Sequence, residues 1–347
     1  MTSALQPGHG PIEDPAKYLP STPENVIWGR LPCAIDEPLM TVEPGTTLTL
    51  DTLSHEGLLE DQGRDPATFF GSHGATDVLD DAVALAASSV SHDPRVDGPH
   101  VVSRPIEIRG AEPGDLLAIR VGRLQRRVPY GVVSNRHGRG ALPEEYPRDQ
   151  QTVVSVFTPV VDGRGVIGPA SFELAPFLGI MGVAVREDRR PHSVPPGPHG
   201  GNLDIRLLTE GSTLYLPVQV PGALAYVGDP HFAQGDGEVA LTALEASLRA
   251  TLTFDVIGHE EAVRRFGDLV WPLAETREFL IPTGLDEDLD TAVRNAVRAA
   301  IALLTCRYEM TPEQAYAYLS AATDFRISQV VDVVKGVHAT IRKADFR

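Results

Sequence analysis

Short apolar runs that alternate with polar positions set the pattern of the first two thirds of the chain. PLMTVEPGTTLTLDTL (38–53), RPIEIRGAEPGDLLAIRVGRL (104–124), TVVSVFTPVV (152–161) and STLYLPVQVPGALAYVG (212–228) are rich in β-branched residues. They are punctuated by Pro44-Gly45, Pro113-Gly114, Asp162-Gly163 and Pro221-Gly222. Runs of this length between turn pairs predict antiparallel strands, and their spacing predicts a sandwich or barrel. One early segment breaks the rhythm. Residues 76–90, TDVLDDAVALAASSV, place Val78, Leu79, Ala82, Val83 and Ala86 on one stripe and predict a short helix.

The period changes near residue 286. Leu289, Ala292, Val293, Ala296, Val297, Ala300, Ile301 and Leu304 share one face of a helix over 286–307. Thr311-Pro312-Glu313-Gln314 reads as a capping box with proline at the first helical position, opening a second helix. FRISQVVDVVKGVHATIRK then reads as a strand or another packed element. The predicted fold is mainly β: a sandwich- or barrel-type core with a smaller C-terminal α/β portion. Its divisions are an extended, Pro-rich arm at 1–25, a β-rich catalytic core at 26–257, and an α/β portion at 258–347 packed on that core.

Composition narrows the partners. The formal charge is −17, with 30 basic against 47 acidic residues, and only Lys17, Lys335 and Lys343 are lysines. That balance disfavours nucleic-acid phosphates and anionic membranes. No apolar stretch reaches the ~20 residues of a membrane-spanning helix, and the N-terminus lacks a signal-peptide pattern, so the expected location is cytoplasmic. Cys33 and Cys306 lie far apart with no metal-binding spacing and are expected as two reduced thiols. The Pro-rich arm suggests a homodimer in which it crosses a neighbour.

The chemistry concentrates between His192 and Glu245. PHGGNLDIR (198–206) and VGDPHFAQGDGEVALTALE (227–245) crowd His199, Asn202, Asp204, Asp229, His231, Gln234, Asp236 and Glu238 around glycines. Carboxylates and imidazoles in such turns can converge on a metal ion, with a nearby carboxylate taking a proton from water. The bland alternative is that Asp and Asn beside Gly are ordinary turn residues. No HExxH, EF-hand, GxSxG, Ser–Ser–Lys or Glu–Lys–Cys arrangement is present, which disfavours nucleophilic side-chain catalysis.

GGNLD, a strand ending in LPV, GALAYVGDPHFAQGDGE and then Glu245 together resemble the central signature of the acetamidase/formamidase family. TVEPG, GAEPGDLLAIRV, PFLGIMGVA and PEQAYAYLSAATDFRISQVVD fall in the family's order, so the resemblance spans about residues 28–345. It implies a β-sandwich-type fold and hydrolysis of small carboxamides to the acid and ammonia. It also implies a divalent metal, zinc first and calcium second. Carried over by motif, Asp204, Asp229 and His231 are the expected metal ligands. Asn202, Gln234 and His199 are expected to bind substrate, and Glu238 to act as the base with Asp236 orienting it or joining the metal. The chain departs from the family at DTLSHEGLLEDQG (51–63) and in the segment after it. Asp51, His55 and His73 are candidate additions to the site there, and Arg136 and His137 in NRHGRGALPEEYP are candidates for a substrate-facing loop. Two alternatives stay open: hydrolysis of a larger or cyclic amide, and a non-catalytic sandwich with a structural calcium.

Overall fold

The computed structural model describes residues 3–346. It is mainly β, with 35% of residues in strands and 19% in helices. Two large sheets face each other. The nine-stranded sheet has Leu116–Arg126 near its middle, paired antiparallel with Leu248–Ile257 on one side and Thr213–Pro217 on the other. The second sheet carries Tyr130–Arg136, Val153–Val161, Phe177–Gly182 and Tyr226–Ala233. One of the predicted turns closes a hairpin of this second sheet. Asp162 and Gly163 both adopt positive φ (50° and 79°), the conformation of a tight hairpin, between Val153–Val161 and Arg164–Ile167.

The two-residue period sorts the side chains between two cores. Along Leu116–Arg126, Leu117, Ile119 and Val121 point between the sheets, where they meet Leu178, Val227 and Phe232. Leu116 and Ala118 point to the opposite face, under Phe266, Leu303, Leu304 and Leu319 of the C-terminal helices. The nine-stranded sheet is therefore covered on both faces, by the other sheet and by helices.

The expected helices form at shifted boundaries, as Asp80–Ala86 and Leu289–Tyr308. Asp288 caps the second by accepting from the Thr291 N–H at 2.8 Å. The Thr311/Gln314 capping box opens the helix Pro312–Ala322. Ala292 and Ala296 let the long helix lie directly on Gly284, where a Cβ would sit 2.1 Å from the Ala296 nitrogen. Residues after 322 form a hairpin, Asp324–Gln329 with Lys335–Arg342, and with Leu273–Glu275 and Phe279–Asp286 they extend the nine-stranded sheet. The C-terminal strands thus continue the core sheet rather than building one of their own.

The described part of the arm lies along its own chain. Tyr18–Leu19 pairs with Thr49 and Leu50, and Arg249 donates to the carbonyl of Gln6 at 3.3 Å. The arm therefore supplies no argument for a dimer. Cys33 and Cys306 are both free thiols. Among the described residues no helix is long and apolar enough to cross a membrane.

Candidate active site

Tyr226–Ala233 supplies the centre of the site. Asp229 and His231 are two positions apart on this strand, and their side chains meet. Glu245 is brought opposite His231 by strand pairing, and the His231 Nε2 lies 3.1 Å from both Asp229 Oδ2 and Glu245 Oε1. Asp204 approaches the other ring nitrogen, 3.8 Å from Nδ1. Beneath them runs Phe177–Gly182, and its Gly179 leaves the space these groups occupy. A Cβ there would lie 2.5 Å from Asp204 Oδ1 and Asp229 Oδ2, and 2.6 Å from His231 Cε1.

A second set of groups meets the outer oxygen of Asp229. His100 precedes Val101–Ser103, whose Val102 pairs with Gly228, and its Nε2 comes to 4.0 Å from Asp229 Oδ1. Its Nδ1 is 2.9 Å from the Ser193 hydroxyl. His55, in the turn after Thr46–Asp51, places Nδ1 3.8 Å from Asp229 Oδ1 and Nε2 3.4 Å from Glu56 Oε1. Glu56 accepts hydrogen bonds from the Ser134 hydroxyl at 2.7 Å and from the Gln62 amide. Asp332 enters from the loop of the C-terminal hairpin, held where Gln329 Oε1 accepts from the N–H groups of Val331 and Asp332.

The site is strained as well as buried. Asp204, Asp229 and Glu238 all adopt positive φ (50°, 53° and 46°), a conformation costing roughly 1–3 kcal/mol for a residue with a side chain. His55, Asn202, Asp229, Glu238, Glu245 and Asp332 line a cleft of 850 Å³. Asp204 and His231 sit behind them, 1% and 0% exposed.

The electrostatics show what the arrangement demands. Burial, with repulsion from Glu238 and Asp332, holds Asp204 well above the usual carboxylate range. Burial, with Asp332 and Glu245, does the same to Glu238. Burial, with repulsion from Asp229, raises Asp332 to about 8. Burial disfavours the His55 imidazolium, but the Asp229 and Glu56 carboxylates outweigh it and bring His55 up to about 10. His100 is pushed down to about 4 by burial, which the attraction of Asp229 only partly offsets. Both oxygens of Asp204, Asp229 Oδ1, Glu238 Oε2, Glu245 Oε2, Asp332 Oδ2 and Asn202 Oδ1 are buried without a hydrogen-bond donor. Buried polar atoms ordinarily have partners. Acids crowded around imidazoles, with their oxygens unsatisfied, could hold a divalent cation. Three groupings have the required closeness: His55/His100/Asp229, Asp204/His231/Glu238 and Asp229/His231/Glu245.

The geometry sorts the residues anticipated from sequence. Asp204, Asp229, His231, Asn202 and Glu238 are brought together, and so is His55. Asp236 is not. Its carboxylate pairs with Arg206 at 3.0 Å and Arg326 at 3.4 Å on the molecular surface, so its expected place beside Glu238 is corrected. Gln234 is beside the site, but its amide donates to the carbonyls of Asp204 and Ser328 (2.9 and 3.2 Å), which fixes the Asp204 loop rather than facing the cleft. His199 is buried at the Gly197–Gly201 turn, away from the cleft lining, and burial pushes its imidazole down to about 4. Asp51 pairs with Arg249 at 2.6 Å. His73 is exposed and stacks on Phe157, and His137 is exposed. Arg136 reaches the cleft wall, pairing with Asp61 at 2.6 Å. His100, Glu56 and Asp332 were not singled out from sequence. Glu245, noted there as the end of the signature, has its position set by its register opposite His231.

The sequence profile of the acetamidase/formamidase family matches residues 75–190 and 185–342. The chain belongs to the acetamidase/formamidase family. A formamidase of Methylophilus methylotrophus is 28% identical over 302 residues, 67% of this chain and 74% of that protein. An acetamidase of Mycolicibacterium smegmatis is 29% identical over 198 residues, 40% of this chain and 49% of its own length. A Schizosaccharomyces pombe relative is 32% identical over 196 residues, 41% of this chain and 47% of its own length. The chain thus matches about half the length of two of these three relatives. The crystal structure of a Bacillus halodurans acetamidase superposes with a TM-score of 0.76 at 25% identity, covering 94% of this chain and 98% of that one. The relatives named formamidase and acetamidase are amidases acting on carbon–nitrogen bonds other than peptide bonds, the enzyme class implied by the sequence resemblance. The profile match begins at residue 75, so the turn that delivers His55 and Glu56 lies outside it.

Proposed function

We propose that this member of the family is a metal-dependent hydrolase that cleaves the C–N bond of a small linear carboxamide, releasing carboxylic acid and ammonia. The observation that supports it best is the convergence of Asp204, Asp229, His231, Glu238 and Glu245 at the base of an open cleft, with their oxygens unsatisfied. Asp204, Asp229 and His231 would hold the cation, with Glu245, His55 and His100 within reach. Imidazoles among the donors favour zinc over calcium, which prefers an all-oxygen shell. Bound there, a divalent cation would polarise the amide carbonyl and lower the pKa of water.

The chain's own groups carry the proton transfers. Amide hydrolysis needs a base to take a proton from the attacking water and an acid to return one to the leaving nitrogen. Glu238 faces the cleft with one oxygen unsatisfied and can do both in turn, a role worth ~10²–10⁴-fold in rate. Asn202, also on the cleft wall, offers an amide oxygen without a donor that can accept an N–H of the substrate amide. Asp229, Glu238 and Glu245 face the cleft, which favours this reading over a structural calcium site that would be walled in on all sides.

The test is ammonia release by the purified protein from formamide, acetamide and propionamide. Turnover of at least one is expected. No ammonia from any carboxamide, with metal supplied, would overturn the proposal.

A further inference from the structure

The cleft is much larger than formamide or acetamide needs. Its 850 Å³ falls in the range of sites for ligands of drug size, ~300–1,000 Å³. Its outer wall carries charge of both signs, and that charge is unequally neutralised. Glu60 pairs with Arg64 at 3.1 Å, Asp61 with Arg136 at 2.6 Å, and Asp97 with Arg30 at 2.6 Å. Every acid on the outer wall therefore has a cationic partner. Arg139 is the exception among the wall's arginines: no acid of the described residues forms an ion pair with it. Lys335, the wall's lysine, donates to the Glu287 carbonyl at 2.6 Å.

Arg139 is an exposed residue of a constrained loop. It lies between Gly138 and Gly140, both at positive φ (80° and 78°). The loop is tied to the segment that follows Glu238: Ala141 N–H donates to the Val239 carbonyl at 2.9 Å, and the Asn135 amide to the Ala240 carbonyl at 2.9 Å. The backbone of the loop is thereby held in register with the Glu238 turn, and the exposed Arg139 side chain extends from it without a hydrogen bond among the described residues. On a chain of net charge −17, an unpaired guanidinium in a cleft wall is a local exception.

We infer that the substrate carries an anionic group, and that Arg139 is the specificity-determining residue that receives it. The inference rests on the amide-hydrolase reading and sharpens it: the substrate class is the monoamide of a short dicarboxylic acid. Its amide lies at the buried cluster and its carboxylate extends toward the Gly138–Gly140 loop. Guanidinium and carboxylate form charge-assisted, often bidentate hydrogen bonds, which a neutral amide of the same length cannot make.

The experiment compares kcat/KM for malonamate, succinamate and glutaramate with propionamide, butyramide and valeramide, which have matching carbon counts. The wild type is expected to prefer an anionic member over its neutral counterpart by ~10-fold or more, with the preference shrinking as salt rises. Arg139→Gln should lower that ratio ~10-fold, Arg139→Glu should lower it further, and Arg139→Lys should keep part of it. Neutral amides turned over at least as well as their anionic counterparts would overturn this inference and leave amide hydrolysis standing. If no amide is hydrolysed, the amide reading fails, and binding then decides the anion site. Stabilisation against heat by succinamate but not butyramide, abolished by Arg139→Gln, would uphold the site. Equal stabilisation by both, or none, would remove it.

Discussion

Adding one methyl group at Gly179 is the smallest change that reaches every inner member of the cluster at once. The new Cβ would stand 2.5 Å from Asp204 Oδ1 and Asp229 Oδ2 and 2.6 Å from His231 Cε1. Ordinary contact between such atoms is nearer ~3.5 Å, so these groups must retreat by about 1 Å. They have little room to do so, since Asp204, Asp229 and His231 are 1%, 3% and 0% exposed. Overpacking of this kind costs roughly 1–3 kcal/mol, a modest part of the stability of a chain this size. A displacement of about 1 Å at reacting groups, by contrast, costs ~10²-fold in rate. Gly179→Ala is therefore expected to fold, lose metal content and fall at least ~100-fold in kcat. Gly71→Ala is the control, because no atom lies within 4 Å of its added Cβ. The assay is ammonia release alongside thermal unfolding and elemental analysis. A Gly179→Ala protein that retains full metal and more than a tenth of kcat would refute the placement of the chemistry at this cluster.

Glu238→Gln preserves shape and removes the carboxylate proposed as the base. Folding and metal content should persist while kcat falls by ~10²-fold or more, and a variant keeping a tenth of kcat would move the role to Glu245. Asp236→Asn breaks only half-exposed ion pairs with Arg206 and Arg326, so it should cost no more than ~1 kcal/mol and leave kcat within a few-fold. A large kcat loss would restore Asp236 to the site. His338 is buried against Ser328, and burial, aided by Arg326 and Arg206, pushes it down to about 4 despite Asp236. The unfolded chain binds this proton first, so stability should fall as pH drops from ~6.5 to about 4, by on the order of 3 kcal/mol from this group. Urea unfolding across that range should give a shallower slope for His338→Gln than for wild type, and identical slopes would disprove the assignment.

The fold was legible wherever local pattern and tertiary structure agree. Alternating residues in 104–124 and 212–228 became strands because their two faces meet two different cores, and the Thr311/Gln314 box opened its helix because a cap is a local interaction. The sheet shared by the core and the C-terminal strands was not legible, since pairing partners are chosen across the whole chain. The site divides in the same way. Asp204, Asp229, His231 and Glu238 stand in two glycine-rich segments that carry their own signature. His100, Glu56 and Asp332 come from distant segments, joined through the Gly228–Val102 pairing, the Ser134 hydrogen bond and the C-terminal hairpin. Asp236 was misplaced for a geometric reason. Residues two apart share a face only in an extended strand, and here Gly237 (φ 104°) and Glu238 (φ 46°) turn the backbone so that one carboxylate enters the site and the other meets surface arginines.

The measurement closest to the central claim joins metal content to turnover in one preparation. Protein purified without chelator is assayed for bound metal by elemental analysis and for ammonia release from a carboxamide it cleaves. It is then stripped with chelator, and zinc, manganese and calcium are added back separately. The account predicts bound divalent metal in the active preparation, loss of ammonia release on stripping, and recovery with at least one added metal, zinc foremost. Asp204→Asn should fail both to hold the metal and to recover. Undiminished turnover by a preparation shown to be metal-free would contradict the account.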